Sequence, residues 1–552
     1  MMKKNKLKLF NINKKFYELL SVFLIGSFLF CLIYGFNAFK IFPQPFNDND
    51  YLLYQASYYA FINSEFEFPV FYSDKLFVDK EINLIFGDYI PIYSLILKFI
   101  VKGFNIVILS PFMFWIYLNT LLTFYFSYKI FSLSSRLNVY ENFLGATIIS
   151  TLPLSPFKFL YHSGESTHFL IIAGIYLYLK SKQNVKYLYY LAVVTSLSLW
   201  VHIYLFAILS GILFVTSLKY IKLIKVILKT SSIFLVISSI IFYLSFESIN
   251  LFMKNLENEI VTKFNPRWST EFNSFFCSYN NPDFIYKFLK CYEPYTIRDL
   301  ESYAYLGLGM ITFLPIIFFK ANNTKNLIVH NKSIVTLAVV FLFFSFGNRI
   351  KIAHKQILEY KFSSIHLQII EIFRAHGRFV YLFYYLLAFL IIYKLFLVSK
   401  KKKIGIVIVF TFLVIQGVDL TRQYIGTDLN LYRIETGNNE IISTSQESFV
   451  NLDNRLFIYP PDNCIENFDM YLFAKEFLKY GGSISSSRIR GGNSYENCQN
   501  INIYSNLLNY QPVHFLTTNS YFDRYKDLIS SKYNCKIMDG VFNNEYIYYC
   551  VS

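Results

Sequence analysis

Two arginines carry the sharpest chemical signal in this sequence. Arg374 and Arg378 belong to the segment Phe373-Arg-Ala-His-Gly-Arg378, which directly precedes a long apolar run. Residues four apart share one face if the segment is helical. Two guanidinium groups suit a phosphate or pyrophosphate, because each can donate paired charge-assisted hydrogen bonds. The alternatives are a contact with lipid headgroups and an ion pair with Glu371.

A second candidate group is acidic and lies nearer the N-terminus. Asp48 and Asp50 follow the first apolar run, and Asp88 stands three residues before Pro91. The aspartate pair predicts either a divalent-metal site or a general base. A solvated turn or a helix N-cap accounts for the same residues, and for Asp88 the proline that follows favours the cap. Both interpretations stay open.

Histidines form the third candidate group. His162 and His168 flank a turn that also holds Glu165, and His202 stands in Trp200-Val-His-Ile-Tyr204 at the end of another apolar run. A histidine in such a place can contact a phosphate, carry a proton or bind a metal. The alternative is an interfacial side chain with no role in chemistry.

The composition defines the kind of scaffold that must position these residues. The chain has 552 residues, of which 54% are hydrophobic and 16% charged. A single soluble domain is excluded, since soluble domains carry about 25% charged residues. We predict an α-helical polytopic membrane protein with about eleven transmembrane helices. The apolar runs lie at 16–36, 104–128, 142–160, 165–180, 187–201, 203–218, 230–246, 303–319, 333–347, 379–398 and 404–420.

The positive charges predict the orientation of these helices. The net charge is +16, and lysine clusters fall at every second connection, which the positive-inside rule explains without a nucleic-acid partner. The N-terminus is then cytoplasmic. The outer side receives the loops 37–88 and 247–302, and the C-terminus follows the last helix outside. We therefore predict a transmembrane domain over 1–420 and an extracytoplasmic domain over 421–552.

The cysteines agree with this orientation. All but Cys31 lie in segments assigned to the outer side, where disulfides persist. Their proximity in sequence favours three bridges: Cys277–Cys291, Cys464–Cys498 and Cys535–Cys550. Strands are predicted over 455–461, 514–518 and 545–551 and a helix over 469–480, so the C-terminal domain is expected to be a small α/β fold.

The order of several short motifs resembles a known family. They are Asp50 with Phe68-Pro69, Asp88-Tyr-Ile-Pro91, His162 with His168, His202-Ile-Tyr204, Tyr305-Leu-Gly-Leu-Gly309, Phe373 to Arg378, and Asp539-Gly540 before Cys550. The family consists of bacterial multi-pass membrane proteins known only as a domain of unknown function. It is in turn similar to the GT-C glycosyltransferases.

The resemblance implies an activity. The chain would be a glycosyltransferase in the bacterial inner membrane that moves a sugar from a polyprenyl-phosphate donor to a glycan or other envelope acceptor. Asp50 would be the general base with Asp48 as the second candidate, and a divalent metal is a possible cofactor. The substrate would be bound by polar residues at the outer face: Asp88, His162, His168, His202, Arg374 and Arg378. The alternatives are a transporter or flippase of lipid-linked sugars and a non-catalytic partner in envelope-glycan assembly.

Overall fold

The structure is a computed structural model. It describes residues 2–35, 50–66, 70–73, 75, 82–83, 90–106, 111–161, 164–245, 269–278, 303–315, 329–352, 355–359, 373, 375–399, 405–425, 455–459, 483–484, 514–518, 522–523, 526–538 and 547–551.

Helices form most of the described chain. The α-helices are α1 (Met2–Tyr34), α2 (Asp50–Asn63), α3 (Pro91–Phe104), α4 (Pro111–Phe131), α5 (Val139–Ser150), α6 (Leu154–Tyr161), α7 (Phe169–Ser181), α8 (Lys186–Ser198), α9 (Ile203–Leu218), α10 (Ile224–Leu244), α11 (Leu308–Phe313), α12 (Lys332–Ser345), α13 (Tyr381–Ser399), α14 (Gly405–Ile425) and α15 (Lys526–Lys532). Two 3-10 helices cover Phe272–Phe275 and His376–Val380.

Most helices lie on the predicted apolar runs, but α2 and α3 fall between the runs 16–36 and 104–128, and two runs are interrupted. The run 142–160 divides into α5 and α6 around Pro153, whose ring and missing N–H are incompatible with a continuous helix. In the run 303–319, α11 begins only at Leu308, because Gly307 precedes it with φ of +91°. That backbone conformation is left-handed and favours glycine.

The expected number of membrane spans needs correction. Within the described residues, three helical segments are long and apolar enough to cross a membrane: Phe16–Tyr34, Ile224–Leu244 and His376–Ser399. The eleven transmembrane helices that the apolar runs predicted are not supported. The reason is length: α9 has 16 residues, so it rises roughly 24 Å against a hydrocarbon core of about 30 Å.

Exposed apolar side chains nevertheless cover the long helices. On α10, Leu235, Val236, Ile240 and Tyr243 are all exposed. A soluble monomer rarely exposes a continuous apolar surface of this kind, so this face is suited to contact with lipid. α13 differs, because its side chains form much of the hydrophobic core.

The connections gather at two ends of the helix bundle. At one end, Lys182 Nζ donates to Asn331 Oδ1 over 2.6 Å, and Lys219 Nζ donates to the Lys182 carbonyl over 3.4 Å. At the other end, Trp115 Nε1 donates to Thr167 Oγ1 over 3.0 Å. Three lysine-bearing connections therefore lie together. The side of the membrane that this end faces stays a prediction.

Two antiparallel strand pairs precede the tail: β1 (Tyr72–Ser73) with β2 (Ile82–Asn83), and β3 (Arg349–Ile352) with β4 (Lys355–Glu359). The tail contains a mixed five-stranded sheet. Its strands are β5 (Arg455–Tyr459), β6 (Ser483–Ile484), β7 (His514–Thr518), β8 (Asn534–Met538) and β9 (Ile547–Val551), in the order β6-β5-β7-β9-β8. β5 pairs in parallel with β6 and β7, while β9 is antiparallel to β7 and β8. Strands were predicted at β5, β7 and β9. The helix predicted over 469–480 lies outside the described residues.

Only one of the predicted disulfides lies wholly within the described residues. Cys535 and Cys550 face each other on β8 and β9 and form a disulfide, which confirms that pairing. Cys277 is also disulfide-bonded, but its expected partner Cys291 lies outside the described residues. The same is true of Cys464 and Cys498.

We expect the β8–β9 bridge to contribute about 2–4 kcal/mol to the stability of the tail. The bridge closes a loop with a sequence separation of 15 residues, which limits the freedom of the unfolded segment. Denaturant unfolding of the purified chain should therefore show earlier loss of the tail in Cys535→Ser than in wild type. Non-reducing peptide mapping provides the direct check, and free thiols at both cysteines would contradict the pairing.

Candidate functional site

A buried carboxylate lies at the centre of the candidate site. Glu165 is fully buried in the turn between α6 and α7. Its Oε1 lies 3.0 Å from Lys158 Nζ, and its Oε2 lies 3.1 Å from Arg378 Nε. The Tyr381 hydroxyl donates a further hydrogen bond to Oε1. Both oxygens are thus engaged with cations, as a charge removed from water requires. We call Lys158, Glu165, Arg378 and Tyr381 the ionic cluster.

The turn that carries Glu165 is fixed from two sides. α4 holds it through Asn119 Nδ2, which donates to the Ser166 carbonyl over 2.8 Å, and through the bond from Trp115 to Thr167. On the other side, a Cβ at Gly164 would lie only 3.0 Å from the Val201 carbonyl oxygen. Glycine therefore allows this turn to approach the segment before α9 closely.

Arg378 also contacts two side chains of the segment around the start of α9, Tyr204 and His202. Its guanidinium carbon lies 4.6 Å from the centre of the Tyr204 ring, a cation–π arrangement. Its Nη1 lies 3.4 Å from His202 Nε2. Tyr204 in turn accepts a hydrogen bond from the Ala375 backbone over 2.7 Å. The start of α9 and the 3-10 helix are therefore joined around a guanidinium of fixed orientation.

His168 adds a neutral polar group beside the ionic cluster. Its Nδ1 lies 2.9 Å from the Tyr385 hydroxyl, and its ring centre is 4.6 Å from that of Tyr381. Burial lowers the pKa of His168 to about 3, against the opposing influence of Glu165, so the imidazole is neutral near pH 7. Within the described chain its Nε2 has no hydrogen-bond partner. His168 can therefore offer a hydrogen bond but no positive charge.

The structure brings together three of the residues that the sequence singled out, namely His168, His202 and Arg378. The other predicted site residues lie outside the part of the chain that the structure describes. They are Asp48, Asp88, His162, Arg374 and the side chain of Asp50. The backbone of Asp50 is described, and it begins α2.

The helical-face argument for the two arginines does not hold. The 3-10 helix begins at His376, and Ala375 before it has φ of −91° and ψ of 74°, which are not helical values. The helix that carries Arg378 therefore does not include Ala375. A tertiary contact explains the interruption of the helix at Ala375. The Ala375 N–H donates to the Tyr204 hydroxyl instead of to a backbone carbonyl of a helical turn.

The helix that begins at Asp50 lies at the same end of the bundle as the ionic cluster. The Tyr58 hydroxyl of α2 accepts a hydrogen bond from the Ile90 backbone over 3.1 Å. The neighbouring Ile92 N–H donates to the Trp200 carbonyl over 3.3 Å. Trp200 stands two residues before His202, so α2 and the site lie in one region of the protein.

The segment Tyr305-Leu-Gly-Leu-Gly309 packs between α14 and α13, the helix of Tyr381. A Cβ at Gly309 would lie 2.8 Å from the Cβ of Gln416 on α14, so glycine at this position allows the two helices to pack closely. Asp419 on α14 accepts hydrogen bonds from the Tyr305 hydroxyl over 3.1 Å and from the Leu308 N–H over 2.8 Å. The Tyr305 carbonyl accepts from Tyr384 of α13 over 3.0 Å. This segment therefore fixes α13, the helix of Tyr381.

Sequence analysis missed several members of the site. Lys158 had a visible signal, since it is a lysine inside an apolar run and far from the lysine-rich connections. Tyr204 belongs to the motif His202-Ile-Tyr204, but only the histidine was named as a site residue. Tyr381 and Tyr385 had no signal, because tyrosine is abundant throughout this chain, which contains 47.

Within the described residues, no group of three or more histidines, cysteines and acidic residues is placed to hold a metal ion. The divalent metal that the family resemblance allows would involve Asp48 and Asp50. Asp48 and the side chain of Asp50 lie beyond the described part.

The class of protein defined by this structure is a helical protein with membrane-length helices and a buried ionic cluster at one end of the bundle. A family model described as a domain of unknown function (DUF6311) matches residues 23–421. The chain belongs to the DUF6311 family. No curated protein matches it.

Proposed function

We propose that the chain is an integral-membrane glycosyltransferase of GT-C type. It transfers a sugar from a polyprenyl-phosphate donor to an acceptor at the outer face of the bacterial inner membrane. The observation that supports this most is the position of Arg378. Its guanidinium is buried and oriented at the start of a helix of membrane length, in the region where the helix beginning at Asp50 also lies.

Each residue has a role in the proposed reaction. Asp50 accepts the proton of the acceptor hydroxyl, which makes that oxygen the nucleophile toward the sugar carbon. Arg378, assisted by Arg374, binds the donor phosphate and stabilises its charge as the polyprenyl phosphate leaves. His168 and His202 hydrogen-bond the donor, and Asp88 and His162 complete the cavity.

The proposal includes a topology. The N-terminus is cytoplasmic and the domain 421–552 is extracytoplasmic, which places the ionic cluster and the first loop on the outer side. Two features support this orientation: the opposite end of the bundle carries the lysine-rich connections, and the tail contains a disulfide.

The second candidate is a transporter or flippase of lipid-linked sugars. The observation that favours it is the burial of Lys158 and Glu165 between apolar helices, since charged residues inside a membrane domain often mark a substrate path. The two functions differ in chemistry, because a flippase moves the lipid and leaves the bond between sugar and phosphate intact.

The deciding experiment uses the purified chain in nanodiscs with synthetic polyprenyl-phosphate sugars and a mixture of envelope glycans. Release of polyprenyl phosphate that depends on the acceptor supports the glycosyltransferase. Movement of labelled donor between the leaflets of proteoliposomes without such release supports the flippase and contradicts the proposal.

Arg378→Ala should weaken binding of a polyprenyl-phosphate donor by about 1.5–3 kcal/mol, which is roughly ten- to a hundredfold in Kd. Arg378→Lys should also bind more weakly than wild type, because it retains the charge but loses the planar fork. Donor binding to purified protein in nanodiscs is the measurement.

The matched control is Arg136→Ala, since Arg136 is exposed between α4 and α5. It should bind donor as wild type does. Wild-type affinity in both Arg378 variants, with the fold confirmed by circular dichroism, would remove the phosphate site from this proposal.

A further inference from the structure

An exposed hairpin leaves the bundle directly after α12. Its strands are β3 (Arg349–Ile352) and β4 (Lys355–Glu359), which pair antiparallel. Three large apolar side chains on it are open to the surroundings: Ile352 at 43%, Ile357 at 63% and Leu358 at 52% exposure. Ile357 and Leu358 are neighbours in one strand and point to opposite faces. The apolar surface therefore covers both sides of the hairpin.

The hairpin continues an apolar face of the helix before it. On α12, Val339, Val340 and Phe343 are exposed, and their spacing of one, three and four residues places them on one side. α12 is apolar along its whole length and contains no charged residue after its first position. An exposed face on such a helix is suited to lipid, so the hairpin begins where a lipid-facing surface ends.

The two basic residues of β3 form ion pairs. Arg349 Nε lies 3.0 Å from Glu359 Oε1, and Lys351 Nζ lies 3.4 Å from Glu271 Oε1 beside the 3-10 helix 272–275. Lys355, which begins β4, is exposed. A lysine beside exposed isoleucine and leucine can extend its stem along the apolar surface and place its ammonium on a phosphate.

We propose that the β3–β4 hairpin is a membrane-interface anchor. Ile352, Ile357 and Leu358 enter the boundary between headgroups and acyl chains, and Lys355 binds the phosphate of an anionic lipid. The occupant of this surface is thus the lipid surface itself. The inference depends on the seating of the helices in a bilayer and is independent of the glycosyltransferase activity.

The anchor is connected to the ionic cluster through α12. Phe344 of α12 packs edge-on against Phe379, with ring centres 4.9 Å apart, and Phe341 lies 5.4 Å from the same ring. Phe379 is the residue after Arg378. Because the hairpin and the 3-10 helix are attached to one helix, the anchor sets the depth of Arg378 relative to the lipid phosphates.

The test is tryptophan fluorescence of the full chain in nanodiscs. Ile357→Trp adds one emitter to the three native tryptophans, and the wild-type spectrum is subtracted. In nanodiscs of anionic lipid with brominated acyl chains, we expect the added emission to be blue-shifted and strongly quenched. Aqueous iodide should leave it largely unquenched. Ser530→Trp, an exposed position on α15 in the tail, is the water-exposed control and should show the reverse.

Two results at position 357 would overturn the anchor. Quenching by iodide without quenching by brominated lipid would place the hairpin in water. Protection from both quenchers would place it against protein, either a second copy of the chain or another segment of the same chain.

The role of Lys355 is tested separately. Adding Lys355→Glu to Ile357→Trp should reduce lipid quenching in anionic nanodiscs and leave it unchanged in neutral ones, whereas Lys355→Arg should retain the wild-type level. Equal quenching for all three residues at this position would overturn the phosphate contact.

Discussion

Turnover of a polyprenyl-phosphate sugar is expected to fall by about 10²–10⁴-fold in Asp50→Asn, which is the usual contribution of a general base. Asparagine has nearly the size of aspartate and cannot accept the proton of an acceptor hydroxyl. The side-chain shape at the first residue of α2 is kept, so the start of this helix should be preserved. Donor affinity should change little, because the proposed phosphate contact is Arg378.

The control for this experiment lies in the same loop. Glu65 is an exposed carboxylate paired with Lys102, and Glu65→Gln should leave turnover unchanged. Acceptor-dependent release of polyprenyl phosphate, measured at saturating donor, separates the two variants. Full turnover in Asp50→Asn would indicate that Asp48 or Asp88 is the general base. Full turnover in all three Asn variants would end the glycosyltransferase proposal.

Local sequence signals located individual elements well. The apolar run 203–218 coincides with α9, and the strand predicted over 514–518 coincides with β7. In both cases the signal is local: His202 accepts a bond from the Tyr204 N–H at the start of α9, and the aromatic and β-branched residues of His514–Thr518 favour a strand. Such signals need no knowledge of distant residues.

The candidate site could not be predicted from local sequence patterns, because it depends on contacts between residues of different segments. Lys158 and Glu165 are close in sequence but Arg378 is far from both, and the three side chains meet only after α6, the following turn and the 3-10 helix His376–Val380 have packed together. The same applies to the arginine motif. The spacing of its two arginines predicted that they share one face of a helix. The Ala375 N–H, however, is bonded to the Tyr204 hydroxyl, and the helix begins only at His376.

The second large effect that we expect is a loss of folding stability when Glu165 is replaced. Glu165→Ala removes the carboxylate that Lys158 and Arg378 share, and it leaves two cations among apolar side chains. Breaking a buried ion pair from one side typically costs about 3–5 kcal/mol. The free energy of unfolding in mixed micelles should fall by that amount. Glu165→Gln should lose less, because its amide oxygen can still accept the hydrogen bond from Tyr381.

A second glutamate–lysine pair in the same chain provides a matched control. The Glu65 and Lys102 side chains meet at 2.9 Å, close to the 3.0 Å of Glu165 and Lys158. Their surroundings differ, since the Glu65 side chain is 78% exposed and that of Glu165 is 0% exposed. Water and salt screen an exposed pair, so Glu65→Ala should leave stability unchanged.

A double variant identifies the cause of the loss at Glu165. In Glu165→Ala with Lys158→Met, one of the two stranded charges is replaced by an apolar side chain of similar length, and part of the lost stability should return. Arg378 remains stranded, so the recovery should be incomplete. If Glu165→Ala were as stable as Glu65→Ala, the ionic cluster would be open to water and Arg378 would not be held in a low-dielectric site. If Lys158→Met gave no recovery, the loss would come from the packing of the turn rather than from charge.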